Sequence, residues 1–333
     1  MTKKEIFSLI ILIAVIAYGS YKFITREYTE TRSKYLMDTI VQISASSKSK
    51  NVGNDIEAVF DFIKKLETKL DEFDPESMIS QINSSEEENF EIDADIFALL
   101  KISQELYRLT DGSFDPTIKP VWDLWGFNEV SPVVPDSLLI QEELKKVDFS
   151  KISFDESKLY KPKGMQLTFG AIAKGYIIDQ ALEYMQKRQI NRGFIDCRSS
   201  MKFFGYKISP LIYVQHPRKA DDSIASLRAN NLSIGTSGDY QQYFEIDDVR
   251  YHHIIDAKTG YPVQNVFSVT VVSPEASWAD GLATAFFTVA PAQAMELIKE
   301  FEDSYFVIYY EENGAIVSLK TEGIKKLDFS ESI

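Results

Sequence analysis

From Ile6 to Ala17 the chain reads IFSLIILIAVIA, and no charged residue falls between Glu5 and Lys22. Such a run cannot lie in a solvated loop, because it would expose a large apolar surface to water. With Tyr18 to Phe23 it reaches the roughly 17–20 residues that cross a bilayer as a helix. The residues that follow, YGSYKFITREY, are bulky, whereas an export-signal cleavage site wants small side chains. The expectation is an uncleaved signal-anchor over residues 1–26. Lys3 and Lys4 would stay in the cytoplasm, with residues 27–333 on the periplasmic side of the inner membrane. Lys22 and Arg26 on the far side weaken that charge bias, and a helix buried in the protein's own core is the alternative.

The sole cysteine, Cys197, excludes an internal disulfide framework, a cysteine-built zinc site and lipid attachment near the amino terminus. The three histidines leave little for a histidine-rich metal centre. With 36 Lys+Arg against 50 Asp+Glu the net charge is −14, which argues against nucleic acid as a partner. A hydrophobic fraction of 44% excludes disorder and supports a sizeable core.

Beyond the anchor, LMDTIVQIS (Leu36 to Ser44) reads as a first strand. Apolar residues spaced on one face predict helices from Asn54 to Leu70 and from Asp93 to Leu109. Asn128 to Asp136, with two prolines, reads as a surface connection. A short strand near Gln166 to Thr168 precedes a helix from Ala171 to about Arg188. Strands are expected at Leu211 to Gln215, Phe267 to Ser273, Tyr305 to Tyr310 and Ala315 to Leu319, and helices at Trp278 to Val289 and Pro291 to Phe301. Strands and helices mixed without regular alternation predict an α+β fold rather than a doubly wound sheet, and the length allows one large domain or two ordinary ones.

Taken one at a time, the polar motifs are ambiguous. Asp280 and Thr284, four apart on a predicted helix, project from one face, and a carboxylate with a hydroxyl suits Mg²⁺. A lone aspartate near a helix start is equally a dipole partner. TFGAIAKGY (Thr168 to Tyr176) places small residues where backbone can approach a ligand or where a helix packs closely on a neighbour. GTSGDY (Gly235 to Tyr240) reads as a polar turn, either an anion-binding concavity or an ordinary hairpin. In His252-His253-Ile254-Ile255-Asp256, a histidine near an aspartate suits a general base or a hydrogen-bonded structural residue.

Their order along the chain is more informative. ESMISQIN, GSFDPTIKPVWDLWGF, GAIAKGYIID, TSGDYQQYF, HHIIDAKTGYPV and SVTVVSPEASWADGLATA, from about Met37 to Val289, together resemble the ApbE family of FAD:protein FMN transferases. The resemblance implies a flavin transferase of ApbE-like mixed sheet-and-helix fold. Such an enzyme uses Mg²⁺ to cleave FAD, moves FMN onto a threonine or serine of a membrane or periplasmic redox protein, and releases AMP. It places the metal on Asp280, Thr284 and the Ala171 carbonyl. It makes His253 the base with Asp256 orienting it. FAD contacts then fall to Met37, Phe73, Ser113, Phe114, Asp115, Thr168, Lys174 and Ile255.

The chain departs from the family pattern at four places. Thr168 stands for the usual aspartate, Asp38 for the glycine of a Met-Gly-Thr motif, and Ala257 for a proline. Arg198-Ser199-Ser200 replaces a Gly-Gly pair followed by Asn or Asp. If those glycines hold positive φ, Arg198 and Ser199 carry strain or the loop is remodelled, and Arg198 is a substitute phosphate contact. These departures leave two alternatives beside the transferase, a flavin-binding relative without turnover and an FAD pyrophosphatase yielding FMN and AMP.

Overall fold

The structure, a computed structural model, describes residues 2–332. Helix α1 (Lys3–Ile24) opens on a capping box, in which Thr2 accepts the Glu5 N–H and Glu5 accepts the Thr2 N–H. None of its residues is buried, so the core-helix alternative is not what the chain adopts.

The body is built on eight antiparallel strands that neighbour one another in chain order. They are β1 (Tyr28–Leu36), β2 (Thr39–Ser47), β3 (Arg192–Asp196), β4 (Ser200–Phe204), β5 (Ser233–Gly238), β6 (Val266–Ser273), β7 (Tyr305–Glu312) and β8 (Ala315–Lys320). Edge strand β1 alternates half-buried with exposed residues and carries Glu30, Arg32 and Lys34, charges that discourage pairing with another chain. Central strands are covered on both faces. Val271, Phe306 and Ile308 point into the main core, while Val272, Val307 and Tyr309 point into a second core. That double burial is why β6 and β7 read as continuous apolar runs rather than as alternation.

One face is layered by α2 (Val52–Leu70), α3 (Ala94–Leu109), α4 (Ala173–Lys187) and α5 (Ala276–Phe287), which supply the main core. On the other, a small sheet of Leu211–His216, Lys219–Arg228 and Ser330–Glu331 closes the second core. The helices lie within two residues of expectation at most ends. Asp93 is the N-cap of α3, accepting the Asp95 and Ile96 N–H groups.

Three expectations are corrected. LMDTIVQIS is not one strand, because Met37 and Asp38 (φ 52° and 57°) form the tight turn between β1 and β2. Gln166 to Thr168 forms no strand and joins no sheet. The Asn83 side chain instead brackets Leu167, taking its N–H and giving to its C=O at 2.7 Å each, and Thr168 N–H reaches the Pro116 carbonyl. GTSGDY is not a turn, since its first four residues lie in central strand β5. A Cβ at Gly235 would stand 2.4 Å from the Ala279 backbone, so this strand lacks a side chain where α5 crosses it.

Candidate active site

Asp280 is fixed by three elements. It lies on α5, whose first N–H groups, those of Ala276 and Ser277, are capped at 2.8 Å by Asp179 of α4. Helix α4 approaches so closely that a Cβ at Gly175 would lie 2.2 Å from the Ala276 carbonyl. The Gly175 N–H then donates to Asp280 Oδ2 at 2.9 Å, and Ser200 Oγ of β4 donates to Oδ1 at 2.7 Å. Burial pushes the Asp280 carboxyl upward, the charge of nearby Lys174 opposing it, and among the described residues no Lys or Arg forms an ion pair with it. One turn on, Thr284 Oγ1 lies 2.9 Å from Ser237 Oγ.

Asp280, Thr284 and Ala171 line one cleft of about 890 Å³. A buried carboxyl in no ion pair among the described residues, in one cleft with a threonine hydroxyl and a backbone carbonyl, is a donor set that suits a hard divalent cation. Among the described residues no three His, Cys, Asp or Glu side chains cluster as a ready-made metal cage. The residues present therefore fit an ion such as Mg²⁺, which keeps water and substrate oxygens as its other ligands.

The two adjacent histidines have separate roles. His252 is buried, donates from Nε2 to the Val263 carbonyl at 2.7 Å and accepts the Ile254 N–H on Nδ1, so both nitrogens are occupied. His253 lines the cleft, and its Nδ1 lies 3.1 Å from the Gln242 carbonyl. A carbonyl only accepts, so Nδ1 carries the proton and Nε2 keeps a lone pair. Burial, helped by neighbouring His252, pushes the His253 pKa down to about 4 and leaves the ring neutral near pH 7. Asp256 does not orient the ring as expected. It accepts the Lys258 N–H at 3.0 Å, and Gln242 does the orienting through its backbone.

The tryptophans of GSFDPTIKPVWDLWGF brace this loop. Trp122 Nε1 donates to the His253 carbonyl at 3.1 Å, and buried Trp125 donates to the Gly260 carbonyl at 3.0 Å. Asp115 borders the cleft but spends its oxygens on Thr117 and on the Phe149 N–H. Ser113 does not border it; its carbonyl takes the Ala257 N–H at 3.1 Å, a bond that a proline at 257 would lack. Met37, Phe73, Phe114, Thr168, Lys174 and Ile255 all border the cleft.

Arg198 adopts φ 69°, so the first position of the substituted Gly-Gly pair does carry a left-handed backbone, and its side chain borders the cleft. Ser200, at the third position, is the hydroxyl on Asp280. Reading the sequence missed Ser200, Ser237, Gln242 and the cleft carboxyl Glu72. Ser200, Ser237 and Glu72 are recognisable only from contacts distant in the chain, and Gln242 acts through its backbone, which no side-chain motif marks.

A model of the ApbE family matches residues 37–308. The chain belongs to the ApbE family. The "FAD:protein FMN transferase" of Haemophilus influenzae is 28% identical over 310 residues, covering 88% of this chain and 87% of that protein. A protein of the same name from Klebsiella pneumoniae is 31% identical, covering 74% and 78%. The crystal structure of the ApbE protein from Thermotoga maritima superposes with a TM-score of 0.83 at 32% identity, covering 90% of this chain and 99% of that one. The α+β fold is thus that of ApbE proteins.

Proposed function

We propose that this ApbE-family chain transfers FMN from FAD to a threonine or serine hydroxyl of a target protein, releasing AMP. The observation that supports it most is the neutral His253, with its proton fixed on Nδ1 and its Nε2 free, in one cleft with the buried Asp280 and Thr284. His253 Nε2 takes the proton of the target hydroxyl as its oxygen bonds to the FMN phosphorus. The bond from that phosphorus to the bridging oxygen breaks, and the oxygen leaves on AMP. Lys174, in the first turn of α4, and Arg198 place positive charge beside the pyrophosphate. Asp280, Thr284 and the Ala171 carbonyl would hold Mg²⁺, which supplies charge neutralisation on the phosphoryl oxygens. Phe73, 52% exposed, offers a ring face to a flavin or adenine.

Helix α1 is the membrane anchor in this reading, with the body on the periplasmic side and a membrane or periplasmic redox protein as target. The test is the full chain in detergent with FAD, Mg²⁺ and a flavinylation-motif substrate, following AMP and covalent flavin together. Equal amounts of both are expected. AMP without label points to a pyrophosphatase, and bound FAD without either product to a flavin-binding relative.

A further inference from the structure

Glu72 has no part in the chemistry above, yet it sits in the cleft wall between Phe73 and Thr168. It follows the end of α2 in a turn where Asp71 Oδ1 accepts the Phe73 N–H at 2.9 Å, so the acid and the aromatic ring are presented together. Its side chain is only 13% exposed. The nearest cation, Lys119, lies 3.9 Å away and is committed elsewhere, to Asp123 at 2.8 Å and over the Phe73 ring at 4.9 Å. The remaining protein donor is the Thr168 hydroxyl, whose oxygen already accepts the Gly170 N–H. A carboxylate offers about four acceptor directions, and among the described residues most of those on Glu72 have no protein donor. The side that remains open is the cleft.

We infer that Glu72 is a ligand-reading residue, accepting the N–H donors on the edge of a heteroaromatic ring held beside Phe73. The inference rests on FAD as the ligand, which carries two such edges, the adenine amine and the isoalloxazine N3–H. A hydrogen-bond acceptor beside an aromatic face is how proteins tell such rings from apolar ones. Burial pushes the Glu72 carboxyl up to about 7, as for a group left without its partner. It also accounts for Thr168. The carboxylate missing at that position is supplied from across the contact, by the residue that touches it.

The experiment titrates the full chain in detergent with FAD and with FMN, following flavin fluorescence, with EDTA present to prevent turnover. Glu72→Ala is expected to weaken FAD binding at least tenfold, with a thermal midpoint no lower than that of the wild type. Glu72→Gln, which keeps the volume and one acceptor, should lose less. Thr168→Asp in the Glu72→Ala background should restore most of the affinity, which a merely structural Glu72 would not allow. A loss with FAD but not FMN places the contact on the adenine amine, and equal losses place it on the isoalloxazine. Unchanged FAD affinity in both single variants overturns the inference. A wild-type chain that binds no FAD overturns the proposed function along with it, and is distinguished because it needs no variant.

Discussion

A single hydrogen bond separates the two histidines at the site. His252 has a partner on each nitrogen, whereas among the described residues His253 has one on Nδ1 and none on the nitrogen a base must use. His253→Ala should therefore lower AMP release by about 10²–10⁴-fold while FAD still binds, as stopped turnover with unchanged flavin quenching would show. Because the imidazole is neutral down to about pH 4, the acid limb of kcat/KM that it contributes should fall there rather than near 6.5. Glu72 gives a prediction of opposite sign. Its carboxyl titrates near 7 when folded and near 4.5 when unfolded, so its ionisation opposes folding as pH rises through that window. Glu72→Gln should be the more stable protein at pH 8, by at most about 3 kcal/mol, and should converge on the wild type below about pH 4. Denaturant midpoints across that range check it, and a less stable Gln variant at pH 8 would show that the carboxylate is well paired. The sequence pointed to His253 through its motif and to Asp280 and Thr284 through their i,i+4 spacing. It did not point to Glu72 or Ser200, because each matters through a residue 80 or more positions away.

At the level of elements, two glycines of the polar motifs serve packing at least as much as ligand approach. Gly175 and Gly235 let α4 and β5 touch α5 from two sides, and those contacts aim Asp280 into the cleft. Gly235→Ala forces a Cβ onto backbone atoms, which cannot rotate away as a side chain does. It should cost about 1–3 kcal/mol by chemical denaturation and should reduce turnover beyond the loss of folded protein, since Asp280 moves with α5. Unchanged stability would mean that α5 has room to shift. The same contact hid β5 from sequence reading. SIGTSG is small and polar because helix and hydroxyl network lie on it, so it lacks the β-branched run that marks β6. The hairpin turn was hidden for a related reason. Met37 and Asp38 hold left-handed backbone without glycine, and Asp38→Gly should stabilise the protein by about 1 kcal/mol, read as a rise in denaturant midpoint.

Across the whole molecule the division is between α1 and everything else. At 1.5 Å per residue its 22 residues span about 33 Å, close to the hydrocarbon thickness of a bilayer. Only residues 25–27 separate it from β1, and Glu27 is already tied to the body by an ion pair with Arg192 at 2.7 Å. In the anchored reading the cleft-bearing body therefore rests against the membrane, which suits a target whose acceptor residue also lies near the surface. Because no residue of α1 is buried in the body, the two should be energetically independent. Removing residues 1–26 should leave the unfolding free energy of the remainder within about 0.5 kcal/mol of the full chain and abolish sedimentation with lipid vesicles. A loss of several kcal/mol would show that α1 belongs to the core after all. Retained vesicle binding would place the membrane contact on the body instead.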